Sequence, residues 1–143
     1  MPYEYIDKIT IADVAFRARG RTLEELFRDA ADATTGAMVE NLDEIGGEAE
    51  KRVSLSAGSL DMLLFQLLQE LIFYKDAEQL LLRVGSVSLW KEGDLHSLDA
   101  LLVGERIDAR KHRLVVDVKA VTLHRLSLEE NEKGWEATVV LDV

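Results

Sequence analysis

The chain has no cysteine and only one proline among its 143 residues. It therefore has no disulfide, no zinc site built from thiolates and no cysteine nucleophile. It also lacks an apolar run of the roughly 18 residues that a membrane-spanning helix needs. The acidic opening Met-Pro-Tyr-Glu-Tyr is unlike the basic and apolar start of a signal peptide. These absences predict a cytoplasmic protein without a membrane contact.

Positive charge is scarce. The 17 basic side chains face 27 acidic ones, which leaves a net charge of −10. Proteins bind nucleic acid mainly through Lys and Arg side chains that neutralise phosphates, so we expect this acidic chain not to bind nucleic acid directly. An acidic surface suits cations or a basic patch on a protein partner.

Two helices are indicated by their start signals and periodicity. Thr22 is followed three residues later by Glu25, which is the spacing of a capping box. Ser59 is a favourable N-cap residue, and Asp61 lies where the helix dipole favours negative charge. The second helix carries one broad apolar stripe, which predicts that it is buried. The stripe consists of Leu60, Leu63, Leu64, Leu67, Leu68 and Leu71.

Most remaining apolar segments have the period-two pattern of strands. The segments 14–18 and 53–55 alternate in this way, and a hairpin is predicted from Ser86 to Val103 around Glu92-Gly93-Asp94. A second pair is predicted over 114–128 and 135–143, joined by residues 130–134. The order predicts an α+β fold in a single domain, residues 1–143, with two helices packed on one face of a largely antiparallel sheet.

Common catalytic motifs are missing, and two aspartates in apolar strands are the most informative polar residues. Asp13 follows Ile11-Ala12, and Asp142 follows Val139-Val140-Leu141 with only Val143 after it. If the first and last long strands are neighbours, these carboxylates and the terminal carboxylate of Val143 repel one another. A hard divalent cation would relieve the repulsion, with Ca²⁺ or Mg²⁺ preferred over zinc because the ligands are oxygens. Strand alternation offers the alternative that both aspartates simply face solvent.

A second candidate group lies in the segment 119–124, which reads Lys-Ala-Val-Thr-Leu-His. Alternation places the side chains of Thr122 and His124 on one face of the strand and the side chain of Lys119 on the other. These side chains are candidates for a functional surface. The alternative is that Lys119 protects a sheet edge and that His124 is an ordinary surface group.

Four segments together resemble the archease family. They are the N-terminal 3–7 leading into 12–14, the helix start 21–27, the segment 119–124 and the ending 140–143. They span the chain in the family's order. Archeases usually read His-Thr-Ala-Asp where this chain has Thr-Ile-Ala-Asp at 10–13, so the histidine is absent here.

The resemblance implies a small α+β accessory protein of an RtcB-type RNA ligase. Such a protein promotes guanylylation of the ligase's active-site histidine and repeated turnover in tRNA splicing or RNA repair, and is not itself an enzyme. The resemblance also implies a divalent cation, calcium first and magnesium second, bound by Asp13, Asp142 and Val143. It further implies that Lys119 belongs to the partner-activating surface, together with Thr122 and His124 of the same motif.

Two other functions remain open from the sequence. One is a chaperone or binding module for another RNA-modifying enzyme such as a methyltransferase, a role also assigned to archeases. The other is a small metal-dependent hydrolase that uses Asp13 and Asp142. The hydrolase would need a general base that the sequence does not evidently supply.

Overall fold

A computed structural model describes residues 2–6 and 13–143 of the chain. The strands are β1 (Tyr3–Ile6), β2 (Asp13–Gly20), β3 (Ala49–Ala57), β4 (Leu80–Glu92), β5 (Leu95–Arg106), β6 (Ala120–Asn131) and β7 (Gly134–Asp142). The helices are α1 (Leu23–Met38) and α2 (Leu60–Glu78), with one 3₁₀ turn at Leu42–Glu44. Among the described residues, no helix is both long and apolar enough to cross a membrane.

The strands form two antiparallel sheets. One has the order β1-β2-β7-β6 and the other has the order β3-β5-β4. The predicted α+β class with two helices is confirmed, and the finding adds that the strands divide into two sheets instead of one. Alternation in the sequence identifies strands, but it does not say which strands pair, so the division could not be read from it.

Helix α1 begins at the predicted capping box. The Thr22 hydroxyl accepts a hydrogen bond from the Glu25 N–H at 3.1 Å, and Glu25 Oε2 accepts one from the Arg21 N–H at 2.7 Å. The helix then packs mainly against β2 and β4, one strand from each sheet. Its buried face is rich in alanine, which allows the helix to approach the strands closely. That face includes Ala30, Ala31, Ala33 and Ala37.

Helix α2 has the predicted N-cap residue, but the cap works differently. The Ser59 hydroxyl donates to Asp61 Oδ1 and makes no hydrogen bond to the backbone at the helix start. The predicted leucine stripe is buried at Leu63, Leu64, Leu67, Leu68 and Leu71 and half-buried at Leu60, and the helix packs against β6 of the first sheet and against β4 and β3 of the second. Each fully buried leucine contributes about 1.5–3 kcal/mol as an upper estimate, so burial of this stripe is a major source of stability.

Strands β2 to β5 are longer than predicted, with β4 beginning at Leu80 and not at Ser86. Two further differences concern β1 and β6. Strand β1 was not predicted, and Tyr5 within it donates from its hydroxyl to the carbonyl of Ala33 at 2.8 Å. Strand β6 begins at Ala120 and not at Leu114. Residues 114–119 contribute only an isolated bridge between Leu114 and Val39. Apolar composition suggested a strand there, but Leu114 and Val115 are more than half exposed.

The pairing of β2 with β7 decides where the functional candidates lie. Its register runs without interruption from Asp13 opposite Asp142 to Gly20 opposite Trp135. The inner face of β7 is fully buried at Ala137, Val139 and Leu141, so the core fixes which residues of this strand point inward. The two ends of this ladder carry the two polar regions described below.

Candidate functional site

Asp13 and Asp142 are direct cross-strand partners at one end of the first sheet. Asp13 is the first residue of β2, and Asp142 is the last residue of β7. The Cβ atoms of directly opposed residues in antiparallel strands lie about 4.5–5.5 Å apart, on the same face of the sheet. The structure therefore brings together the two carboxylates that the sequence singled out, and both residues are half-buried.

Val143 follows Asp142 directly and is also half-buried. Its side chain packs against the hydrophobic core. The described residues contain no group of three or more His, Cys, Asp or Glu side chains that could hold a metal ion. Among the described residues, the side chains of Asp13 and Asp142 thus bring two oxygen ligand groups together.

Lys119 lies beside the aspartate pair. Its backbone N–H donates to the Asp142 carbonyl at 2.8 Å, and the next residue, Ala120, is opposite Asp142 in the β6–β7 ladder. The Lys119 side chain is exposed, and it forms no ion pair within the described part of the chain. A free ammonium group is thus attached to the backbone position next to two carboxylates.

Thr122 occupies the neighbouring row on the same face. It is opposite Val140, and Val140 is opposite Ala15, so this row is two residues from the row of Asp13 and Asp142. The Thr122 hydroxyl oxygen is buried and has no hydrogen-bond partner among the residues that the structure describes. A buried polar atom without a partner costs free energy, so this hydroxyl is available to a ligand at low cost.

His124 lies in an irregular segment of β6. The register shifts between Thr122 and Ser127, so four residues of β6 lie opposite one residue of β7. Regular alternation therefore stops at Thr122 and no longer assigns Thr122 and His124 to one face. Arg125 within this bulge has φ 57°, a left-handed conformation that is uncommon for a residue other than glycine. His124 and Arg125 are both exposed, and such bulges often direct side chains toward binding sites.

A buried lysine that was not predicted holds the chain just before Lys119. Lys75 in the last turn of α2 is 7% exposed, and its ammonium group donates to the Val118 carbonyl at 2.6 Å. It also pairs with the carboxylates of Asp117 and Asp76. Burial opposes the charge of Lys75, but the hydrogen bonds that its ammonium group donates to Asp117 and Asp76 outweigh this effect and raise the Lys75 pKa above its ordinary value.

The sequence did contain a signal for Lys75. It continues the buried stripe of α2 at the spacing Leu64, Leu68, Leu71 and Lys75. A lysine on an apolar helical stripe has to find anionic partners inside the fold. The sequence could not show that the partner is the segment leading into Lys119.

The connection from β5 to β6 is held by a second buried group. His112 Nδ1 accepts a hydrogen bond from the Asp108 N–H at 2.9 Å, which makes Nε2 the nitrogen that carries the proton. Nε2 lies 3.1 Å from Glu105 Oε1. Hydrogen bonds from Lys111 and from the Gly46 backbone, with a smaller contribution from His112, lower the pKa of Glu105 to about 2. Glu105 is therefore a fixed anion that anchors this connection.

Residues 7–12 lie outside the described part of the chain, so the segment that reads Thr-Ile-Ala where archeases have His-Thr-Ala is not placed by the structure. A profile of the Archease protein family (MTH1598/TM1083) matches residues 3–143.

Several named proteins are similar along their whole length. The chain is 35% identical to "Protein archease" of Methanosarcina mazei, covering 99% of this chain and 95% of that one. It is also 35% identical to "Protein archease" of Archaeoglobus fulgidus, covering 100% of both chains.

Two solved structures have the same fold. The solution structure of Methanobacterium thermoautotrophicum protein 1598 superposes with a TM-score of 0.84 at 31% identity, covering 99% of both chains. A crystal structure from Thermotoga maritima, described as an archease and possible chaperone, gives a TM-score of 0.62 at 20% identity, covering 98% of this chain and 99% of that one. With the family profile matching nearly every residue and relatives similar from end to end, this chain belongs to the archease family.

Proposed function

We propose that this protein is a non-catalytic activator of an RtcB-type RNA ligase. It would promote guanylylation of the ligase's active-site histidine and repeated turnover in tRNA splicing or RNA repair, and it would act in the cytoplasm. Membership of the archease family supports this proposal. The single observation that carries it is the pairing of Asp13 with Asp142 next to the backbone of Lys119, whose side chain is exposed.

The proposed site for a divalent cation consists of Asp13, Asp142 and the carboxylate of Val143. Two carboxylates directly opposite each other destabilise a sheet unless a positive charge lies between them. All the candidate ligands are hard oxygens, including the buried hydroxyl of Thr122, and this donor set fits Ca²⁺ first and Mg²⁺ second. When bound, the cation would neutralise the two carboxylates and hold the end of β7 to the start of β2.

The contribution of the chain itself is to fix an exposed lysine beside that site. Lys75 holds Val118 from one side, and the Asp142 carbonyl accepts the Lys119 N–H from the other. The Lys119 ammonium, with Thr122 and His124 nearby along β6, would form the surface that contacts the ligase. The acidic remainder of the protein favours a basic partner over free RNA.

The test is single-turnover guanylylation of the cognate ligase, with and without this protein, before and after chelation of divalent cations. Asp13→Asn, Asp142→Asn and Lys119→Ala should each reduce the stimulation. Calcium binding to the same variants is measured separately by calorimetry, and the two aspartate variants should lose it while Lys119→Ala keeps it. Asp94→Asn is the matched control, because Asp94 is exposed in the turn between β4 and β5.

Full stimulation by both aspartate variants would show that the carboxylate pair has no part in activation. Calcium binding that persists in both would separately remove the proposed cation site.

A second candidate function is a chaperone or binding module for another RNA-modifying enzyme, such as a methyltransferase. It is favoured by the exposed apolar run Leu114-Val115-Val116, whose residues are 53%, 54% and 36% exposed. Runs of this kind often contact protein partners. Co-purification with a methyltransferase, and no effect on ligase guanylylation, would favour this function over the first.

A further inference from the structure

A cleft lies at the opposite end of the β2–β7 ladder from Asp13 and Asp142. It has a volume of about 820 Å³ and is formed where the turn between β6 and β7 meets the start of α1. Seven residues of extended strand separate the two ends, which corresponds to roughly 23 Å. The cleft is therefore a separate location from the proposed activation surface.

Some charged groups in the cleft already have partners. Glu25 accepts the hydrogen bond from the Arg21 N–H, and so serves the helix cap. Glu136 pairs with Arg17 at 2.9 Å and lies near Arg19, which in turn pairs with Glu4. These groups form a connected ion network on the sheet and are not available to a ligand without breaking it.

Other groups in the cleft have no partner. The guanidinium of Arg21 and the ammonium of Lys133 form no ion pair within residues 2–6 and 13–143, and both side chains are exposed. The Asp29 carboxyl forms no hydrogen bond or ion pair in the same part of the chain. Burial, with Coulombic contributions from Asp32 and Glu25, raises the pKa of Asp29 to about 6. The exposed Glu132 also lines the cleft and forms no ion pair within those residues, and the half-buried Trp135, which packs against the hydrophobic core, forms part of the cleft wall.

Arg21, Lys133, Trp135 and Asp29 together are complementary to one kind of small molecule. Two cations favour a phosphate, an aromatic wall favours a flat ring, and a carboxyl group accepts hydrogen bonds from a ring amino group. Stacking of a nucleobase on an aromatic side chain is favourable for every base, because each has a flat π-face. A nucleoside phosphate has all three features. The net charge of −10 disfavours a longer RNA strand, because each added phosphate adds repulsion.

We propose that this cleft binds a free nucleoside monophosphate, with the phosphate on Arg21 and Lys133, the base against Trp135 and the base amino group near Asp29. This site is separate from the proposed ligase-activating surface, and a test of one proposal does not decide the other.

The experiment uses tryptophan fluorescence of the full chain. Trp90 and Trp135 are the two tryptophans, so Trp90→Phe leaves Trp135 as the single reporter. AMP is titrated into this protein, with adenosine, inorganic phosphate and a short single-stranded RNA as separate probes. We expect saturable quenching by AMP with a dissociation constant between about 10 μM and 1 mM, and weaker binding of adenosine and of phosphate.

The charge requirement is tested in the same background. Arg21→Gln together with Lys133→Gln should raise the dissociation constant for AMP about tenfold or more. Lys91→Gln is the matched control, because Lys91 is exposed on the β4–β5 hairpin and should leave AMP binding unchanged. The thermal midpoint of each variant is measured to confirm that the fold is kept.

Three results would overturn the proposal. The first is the absence of saturable quenching by AMP. The second is AMP binding that the double variant does not weaken. The third is binding of the RNA strand that is tighter than that of AMP, which would identify the cleft as a polymer site.

Discussion

Lys75→Met tests how much the buried lysine contributes to holding the segment before Lys119. Methionine keeps most of the length of the side chain but loses the ammonium group. The Val118 carbonyl, on a residue that is 0% exposed, then loses its hydrogen bond from Lys75. Leaving a buried carbonyl without a partner costs about 1–3 kcal/mol. Asp117 is 71% exposed, so its carboxylate regains water and adds little to that cost.

We therefore expect Lys75→Met to lower the free energy of unfolding by about 2 kcal/mol. For a chain of this size that corresponds to a fall in Tm of roughly 6 °C. Thermal and urea unfolding measure it. Lys51→Met is the control, because Lys51 also pairs with an acid, Glu78 at 2.9 Å, but both side chains are partly exposed. A surface pair contributes about 0–1 kcal/mol, so the control should change Tm by no more than about half as much.

A local readout separates loss of this anchor from general loss of stability. The Lys119 N–H, which donates to the Asp142 carbonyl, should exchange with solvent faster in Lys75→Met than in the control variant under strongly native conditions. The reasoning is refuted if the two variants have equal Tm values, or if the Lys119 amide is protected equally in both.

Two further predictions concern stability elsewhere. Asp29→Asn should stabilise the protein at pH 7.5. The folded state raises the Asp29 pKa to about 6, so ionisation of Asp29 destabilises the folded state once the pH exceeds the ordinary pKa of an aspartate. The full shift corresponds to about 3 kcal/mol, and solvent screening reduces the expected gain to about 1 kcal/mol. Urea unfolding should show this gain at pH 7.5 and none below about pH 4, and a gain independent of pH would contradict it. Gly104→Ala should destabilise by more than about 3 kcal/mol in thermal unfolding, because a Cβ there lies 1.8 Å from the Leu81 carbonyl oxygen. Gly47→Ala, where a Cβ meets nothing within 4 Å, should change stability by less than about 1 kcal/mol, and equal effects at both glycines would contradict the packing argument.

The start of α1 and the β4–β5 turn followed closely from local sequence. The capping box at Thr22 and Glu25 is present, and its two hydrogen bonds form. The β4–β5 hairpin turns at Gly93-Asp94, where the glycine adopts φ 57°. These features depend on residues only a few positions apart, so propensity, capping and periodicity are sufficient to predict them.

Features that depend on several elements at once were not predictable in the same way. The separation into two sheets depends on which strands pair, and the bulge around His124 and Arg125 depends on how β6 follows β7. Lys75 could be recognised as a lysine on an apolar stripe, but its partners Asp117 and Val118 lie more than 40 residues away in the chain.

The aspartate pair shows which properties the sequence determines and which the tertiary structure determines. The sequence by itself determined that Asp13 and Asp142 are carboxylates within apolar strands, because residue type and alternation are local properties. Only the tertiary structure decided that they are opposite each other and beside Lys119. The physical reason is that the register of an antiparallel ladder is set by burial of a whole strand face against the core, and a shift of one residue would expose that entire face.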